Sequence, residues 1–328
     1  MPVKRMSGTR PGEPAGSVGP GDAARAAGVT GISVSNPDLP GPGATSPGGT
    51  RIGRPAGRLR HAEHVMGTVF SFDVPASAAP VLPEVLSWLH WVDATFSTYS
   101  GGSDVSRFGR GELTLAECAP ELAEVIAQCA VIKEQSDGYF TPWPGGRFDP
   151  SGLVKGWSIE RASNMLSAAA KTGAGGAGPS GAGPGDTGAS STGASGTGHS
   201  VNGAGDIQCT GEPERGRPWR IGVAHPLHPS RLAVIVAGRD FAVATSGTAE
   251  RGAHIVNPHT GLRATELASV TVVGPRISTA DAYATAAFAM GGAAREWAES
   301  IDGYEAFAVA PDGTTWQTSG FAAYTAPA

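Results

Sequence analysis

Hydrophobic positions recur at strand and helix periods from about residue 60 to residue 320. Alternation over residues 69–74 predicts a strand directly after Met66-Gly67-Thr68. Residues 81–96 place apolar side chains at three- and four-residue intervals, which predicts a helix. The longest helical pattern covers residues 113–136 and ends at Asp137-Gly138. Another helix is predicted from Trp157 onward.

The second half of the chain is richer in strand patterns. A strand is predicted over 200–210, broken at 203–206 by Gly-Ala-Gly-Asp, and further strands over 219–224, 232–236, 241–244, 269–273 and 304–309. Two helices, 280–290 and 291–300, come between the last two strands. We expect an α+β fold with mixed or antiparallel sheets packed against helices.

Two segments lack any hydrophobic period. Residues 1–58 and residues 172–200 consist mainly of Gly, Ala, Ser, Thr and Pro. Such segments bury too little apolar surface to offset the loss of chain entropy. We therefore predict a disordered tail over 1–58 and one folded domain over 59–328, interrupted by a disordered insertion at 172–200.

Charge and cysteine content narrow the functional classes. The formal net charge is −5, and the 24 Lys and Arg residues are thinly spread, so nucleic acid is not an expected partner. The three cysteines form no CxxC pair, which favours a reducing compartment. Lys4-Arg5 is not followed by an apolar run, and no segment reaches membrane-spanning length. We expect a cytoplasmic protein without a membrane anchor.

Asp281 and Thr285 are the strongest candidate for a metal site. At i,i+4 spacing on a helix they present two oxygens on the same side, which suits Mg²⁺ together with a ligand phosphate. The alternative is structural, because residues 278–281 (Ser-Thr-Ala-Asp) resemble a helix capping box.

A phosphate site is the second candidate. Residues 148–157 bring Asp149, small residues and Lys155 to a loop-to-helix junction, where backbone amides and an ammonium could face a phosphate. An ordinary helix entry explains the same pattern. The preceding loop, residues 139–146, is rich in aromatic residues and proline; it could form a wall for a planar ring or a packed plug.

Seven motifs, taken in order, resemble the FAD:protein FMN transferases, the ApbE-like flavin transferases, over about residues 61–320. The resembling segments are Met66-Gly67-Thr68; Phe96-Ser97-Thr98-Tyr99 with Ser106-Arg107-Phe108; Phe148 to Gly156; Gly203-Ala204-Gly205-Asp206-Ile207; Ala244-Thr245-Ser246-Gly247; His254 to Gly261; and Ala280-Asp281 to Thr285. The resemblance implies an ApbE-like, T-fold-related architecture.

The resemblance also implies an activity and its site. Such an enzyme binds FAD with Mg²⁺, transfers the FMN half to a Thr or Ser of an acceptor protein and releases AMP. By position in the family, the metal would be held by Asp281, Thr285 and the backbone carbonyl of Gly152. FAD contacts would fall on Met66, Tyr99, Asp149, Lys155 and Ile255.

The identity of the general base stays open at this point. His254 is a candidate, since imidazole titrates near neutral pH, and a purely structural histidine is the alternative. Asp281 would act in catalysis by holding the metal.

Two other activities use the same residues. A Mg²⁺-dependent FAD pyrophosphatase would use water in place of the acceptor hydroxyl, and a flavin-binding protein would use the site without catalysis. The sequence departs from the family at Gly203-Ala204-Gly205, where a Gly-Gly step is more usual, and in the insertion at 172–200. Residues 43–46 (Gly-Ala-Thr-Ser) resemble an acceptor motif, but the biased composition of the tail makes chance the better explanation.

Overall fold

An eight-stranded sheet lies at the centre of this computed structural model, which describes residues 57–173, 196–248 and 255–325. The strands are β1 (Arg58–Val65), β2 (Thr68–Pro75), β3 (His199–Gly203), β4 (Asp206–Thr210), β5 (Trp219–His225), β6 (His228–Gly238), β7 (Phe241–Gly247), β8 (Ser269–Gly274), β9 (Glu305–Val309) and β10 (Thr315–Gln317). The large sheet has the order β1-β2-β3-β4-β7-β8-β9-β10, and β5 and β6 form a separate pair. All of these pairings are antiparallel.

Two of the hairpins have two-residue turns with positive φ at both turn residues. Val65 pairs with Thr68, so Met66 and Gly67 form the turn, with φ of 56° and 69°. Gly203 pairs with Asp206 across a second such turn, in which φ is positive at both central residues. Positive φ at both central positions matches a type I′ turn, whose twist fits the flanking strands. The predicted break at 203–206 is thus a hairpin turn between two neighbouring strands.

In the described part of the chain, six helices accompany the sheet: α1 (Leu82–Phe96), α2 (Asp104–Gly109), α3 (Pro120–Gln135), α4 (Ser151–Gly173), α5 (Ile277–Met290) and α6 (Ala294–Glu299). Helix α5 is buried at nearly every position and is rich in alanine, which lets α4 and the sheet approach it closely. The sheet separates two clusters of buried side chains. The larger cluster joins one sheet face to the helices, and the smaller one joins the other face to the β5–β6 pair.

The predicted α+β class is confirmed. The helix predicted over 81–96 is also confirmed, whereas the start predicted at residue 113 was wrong because α3 begins at Pro120. Proline disfavours helical backbone in the residue before it, and Ala119 is accordingly extended, with ψ of 137°. A short 3-10 turn, Leu115–Glu117, precedes it.

Some predicted boundaries fall inside described elements. Helix α4 ends at Gly173 and β3 begins at His199, so the predicted insertion limits of 172 and 200 each overlap an element. Residues 174–195 of that insertion, the tail up to residue 56, the motif at 43–46 and His254 lie outside the described residues. Within the described residues, no helix combines the length and hydrophobicity needed to cross a membrane.

Candidate functional site

Helices α4 and α5 approach each other closely at Gly156. A Cβ atom at this position would lie 2.7 Å from the Ile277 carbonyl oxygen, 2.8 Å from Asp281 Cβ and 3.0 Å from Ser278 Cα. Only glycine fits such an approach. The Gly156 amide donates a hydrogen bond of 2.9 Å to Asp281 Oδ2, so the carboxylate is attached to the neighbouring helix.

Three charged side chains converge beside this contact. Asp281 is 5% exposed and Asp206, the first residue of β4, is 1% exposed. The Lys155 ammonium lies 3.6 Å from Asp281 Oδ1 and forms an ion pair with Asp206 Oδ2. Two buried carboxylates therefore share one lysine, and with both carboxylates ionised the trio carries a net charge of about −1, counted from ordinary side-chain charges.

The electrostatics of Asp281 follow from this arrangement. Burial raises its pKa well above the ordinary range of an aspartate, and the negative charge of Asp206 together with a hydrogen bond to Asp206 adds to the rise. The Lys155 ammonium and the Gly156 amide oppose it. A bound cation would compensate the buried carboxylate more fully than the shared lysine does.

Gly152 and Thr285 lie beside the same helix contact. A Cβ atom at Gly152 would be 3.8 Å from Thr285 Cγ2 and 3.1 Å from the ring of Phe140. The Gly156 amide, one helical turn after Gly152, donates to Asp281. The structure therefore brings Gly152, Asp281 and Thr285 to one face of the α4–α5 contact.

These donors fit Mg²⁺. A carboxylate, a hydroxyl and a carbonyl are oxygen ligands of the kind that Mg²⁺ accepts, and so few protein ligands leave coordination positions for water and phosphate. Among the described residues no group of three or more His, Cys, Asp or Glu could hold a metal. A transition-metal centre of that type is therefore not built from this part of the chain.

The capping-box interpretation of Asp281 was wrong. Helix α5 begins at Ile277, its N-cap Arg276 makes no side-chain capping bond, and Asp281 bonds to α4 rather than to its own first turn. The N-terminal end of α5 is instead bound by a residue of α4, because Glu160 accepts hydrogen bonds from the Ser278 amide and hydroxyl.

The predicted FAD contacts other than Lys155 lie on several different elements. Met66 packs against the main core from its hairpin turn, and its sulfur lies 3.6 Å from the Ser158 hydroxyl on α4. Ile255 also packs against that core. Asp149 Oδ1 accepts the Ser151 amide, so this carboxylate holds the first turn of α4.

Tyr99 is 99% exposed, in the loop after α1. The structure does not bring its side chain to the Asp281 cluster. A hydrogen bond from Arg147 to the Thr98 carbonyl ties this loop to the aromatic loop at 139–146.

That aromatic loop contains one buried and one exposed ring. Phe140 is buried as a plug, whereas Trp143 is 45% exposed and packs at 4.9 Å between ring centroids against Phe148. On its other side, Tyr139 contacts His259 at 4.4 Å, and His259 Nε2 donates to the Asp137 carbonyl. The loop that follows the undescribed residues 249–254 is therefore fixed to the end of α3.

Sequence reasoning missed one member of the cluster. Asp206 belongs to the Gly-Ala-Gly-Asp segment, but no role was predicted for it. The signal was available, because a charged residue directly after a two-residue hairpin turn starts a strand that is otherwise buried.

The protein therefore combines an antiparallel sheet packed against helices with a buried acidic site that contains one lysine. A sequence profile of the ApbE family matches residues 66–146 and 191–308, which together exceed half of the chain. The chain belongs to the ApbE family.

Individual relatives agree with this assignment. A FAD:protein FMN transferase from Treponema pallidum is 40% identical over 83 residues, 22% of this chain and 23% of that protein. Another from Haemophilus influenzae is 32% identical over 98 residues, 26% of this chain and 28% of that protein. The matched stretches thus span about a quarter of these curated relatives. The crystal structure of the ApbE protein from Thermotoga maritima has the same fold, with a TM-score of 0.69 at 19% identity over 82% of this chain and 100% of that one.

Proposed function

We propose that this protein is a Mg²⁺-dependent FAD:protein FMN transferase that attaches FMN to a Thr or Ser hydroxyl of an acceptor protein. Membership of the ApbE family supports the reaction class. The curated relatives carry this activity in their names. The observation that carries the proposal is the buried cluster of Lys155, Asp206 and Asp281 next to Gly152 and Thr285.

In the proposed reaction, the acceptor hydroxyl oxygen attacks the phosphorus on the FMN side of the FAD diphosphate. The bond from that phosphorus to the bridging oxygen breaks, AMP leaves with this oxygen, and the hydroxyl proton passes to a base. No oxidation or reduction occurs. His254 remains our candidate for the base, although it lies outside the described residues.

Asp281, Thr285 and the Gly152 carbonyl would hold Mg²⁺. When bound, the ion supplies positive charge that offsets the charge developing on the phosphate oxygens. Lys155 contributes a second positive charge, and its side chain is 24% exposed, so its ammonium can reach a bound phosphate. Met66 and Ile255 would bind the nucleotide or the flavin from the edge of the core.

The test is incubation of the full chain with FAD, Mg²⁺ and a candidate acceptor, followed by intact-mass measurement of the acceptor. Transfer predicts a covalent flavin on the acceptor and free AMP. Free FMN with an unmodified acceptor would instead support the pyrophosphatase alternative. Binding of FAD with no AMP formed would support a non-catalytic flavin-binding protein.

The variant Asp281→Ala tests the metal assignment. Its transfer activity should fall by at least about 100-fold, because loss of even an outer residue that orients a metal ligand can cost about that factor. Near-normal activity of this variant would remove the metal assignment. A cytoplasmic location is part of the proposal and is supported by the three cysteines, which are all free and buried.

A further inference from the structure

Asp206 is a buried charge for which the proposed reaction has no role so far. It is 1% exposed, and an ionised carboxylate at such a depth is costly unless it is paired. The partner of Oδ2 is the Lys155 ammonium, with which it forms an ion pair.

The sheet fixes the other carboxylate oxygen. Asp206 Oδ1 accepts a hydrogen bond of 3.0 Å from the Thr245 amide on β7. The Thr245 hydroxyl lies 2.9 Å from the hydroxyl of Thr271 on β8. Asp206 also follows a two-residue turn directly, so its backbone position is set by the hairpin. This carboxylate is therefore held by its own strand, β4, and by the neighbouring strand β7.

Lys155, by contrast, sits between two carboxylates that belong to different layers. Asp206 approaches it from the sheet and Asp281 from α5. Without Asp206, the only carboxylate near the ammonium among these contacts is Asp281. The lysine would then neutralise the group proposed to hold Mg²⁺.

We infer that Asp206 is a positioning residue: it holds the Lys155 ammonium on the sheet side, so that the lysine faces the FAD diphosphate and Asp281 stays available for the cation. This inference rests on the proposed function for its ligand. The ion pair on which it depends can be tested without that ligand.

The direction in which FAD affinity changes when Asp206 is replaced distinguishes a positioning role from simple charge repulsion. Asp206 is negative and the FAD diphosphate is also negative, so removal of the aspartate charge alone should strengthen FAD binding. If Asp206 acts by orienting Lys155, its removal should weaken FAD binding. Asp206→Asn is the suitable change, because the amide oxygen can still accept from Thr245 while the ion pair is lost.

The first measurement uses no flavin. The full chain is treated with a limiting amine-acylating reagent, and the extent of labelling at Lys155 is read by peptide mass spectrometry relative to Lys133, an exposed lysine on α3. In Asp206→Asn, labelling of Lys155 should rise several-fold while that of Lys133 stays the same. Unchanged labelling of Lys155 would overturn the inference.

The second measurement is titration of FAD, followed by flavin fluorescence, in four proteins: wild type, Asp206→Asn, Lys155→Met and the double variant. Asp206→Asn should weaken FAD binding about ten-fold, the scale found when a residue that orients a ligand group is lost. In the Lys155→Met background the same change should have no weakening effect beyond about two-fold, because the effect acts through the lysine.

The outcomes are distinct. Equal weakening in both backgrounds, or tighter binding by Asp206→Asn, would overturn the positioning role. If wild type does not bind FAD, the proposed function fails and the labelling result alone decides on the ion pair. Thermal melts show whether each variant folds. If Asp206→Asn does not fold, Asp206→Ser takes its place with the same expected results, because the serine hydroxyl can still accept from the Thr245 amide.

Discussion

Replacing Gly156 with alanine tests the helix contact on which the site is built. The added methyl group would lie 2.7 Å from the Ile277 carbonyl oxygen and 2.8 Å from Asp281 Cβ, both well inside ordinary van der Waals contact. One neighbour is backbone and the other is the first side-chain carbon of its residue, so neither can rotate away. Helices α4 and α5 must therefore separate, or the side chain of Asp281 must move with its helix.

The expected loss of stability follows from two opposing terms. Overpacking costs about 1–3 kcal/mol, and backbone neighbours place this site near the upper end. Alanine gains about 1 kcal/mol over glycine in a helix interior. The net loss is about 2 kcal/mol, which corresponds to a fall in melting temperature of about 4–8 °C for a domain of this size.

Urea denaturation of wild type and Gly156→Ala measures this loss in the free energy of unfolding, and Gly152→Ala is the matched control. That second glycine is in the same helix, and its closest neighbour is the edge of the Phe140 ring at 3.1 Å, a side chain that can shift. Its variant should lose less than about 1 kcal/mol, offset in part by helix propensity. Equal stability of Gly156→Ala and wild type would refute the close contact of α4 with α5.

Three further predictions concern other parts of the fold. Burial lowers the pKa of His199 to about 4 from an ordinary value of 6.5, against an opposing hydrogen bond to Ser163, so the native protein binds this proton less readily than the unfolded chain. Stability should therefore fall as pH drops from about 6.5 to about 4, by up to about 3 kcal/mol, and urea titrations of wild type and His199→Gln should show a flatter pH dependence in the variant. Ala204→Asn should raise the melting temperature by a few degrees at most, because asparagine tolerates the positive φ of 52° at this turn position better than alanine does; a lower melting temperature would speak against the type I′ turn. Glu160→Ala should cost about 1–2 kcal/mol in thermal or urea unfolding, the scale of losing a helix cap, since Glu160 accepts both the Ser278 amide and hydroxyl; a neutral effect would show that water replaces this cap.

The periodic segments were predictable because each is determined by its own pattern. Helix α1 follows from residues 81–96, and the β2 strand follows from its alternation. The start of α3 was misjudged because the apolar period continued across Pro120, where the backbone restriction of the preceding residue decides the boundary. The segment 203–206 was predicted as a break within one strand, whereas Ala204 and Gly205 form the turn that joins two paired strands.

The site was predictable only in part. The spacing of Asp281 and Thr285 indicated a shared helix face, but spacing within one helix cannot reveal contacts with another. The bond from Gly156 to Asp281 joins residues 125 positions apart, and the pairing of Lys155 with Asp206 depends on how the sheet packs on α4. These contacts are set by tertiary packing.

The most direct test of the metal site is a crystal structure of the complex with FAD and Mg²⁺. Our account predicts one cation bound to Asp281, the Thr285 hydroxyl and the Gly152 carbonyl, at the oxygen distances of about 2.0–2.1 Å that Mg²⁺ requires, and in contact with the FAD diphosphate. A diphosphate bound away from the α4–α5 contact, or a cation held by other residues, would contradict it.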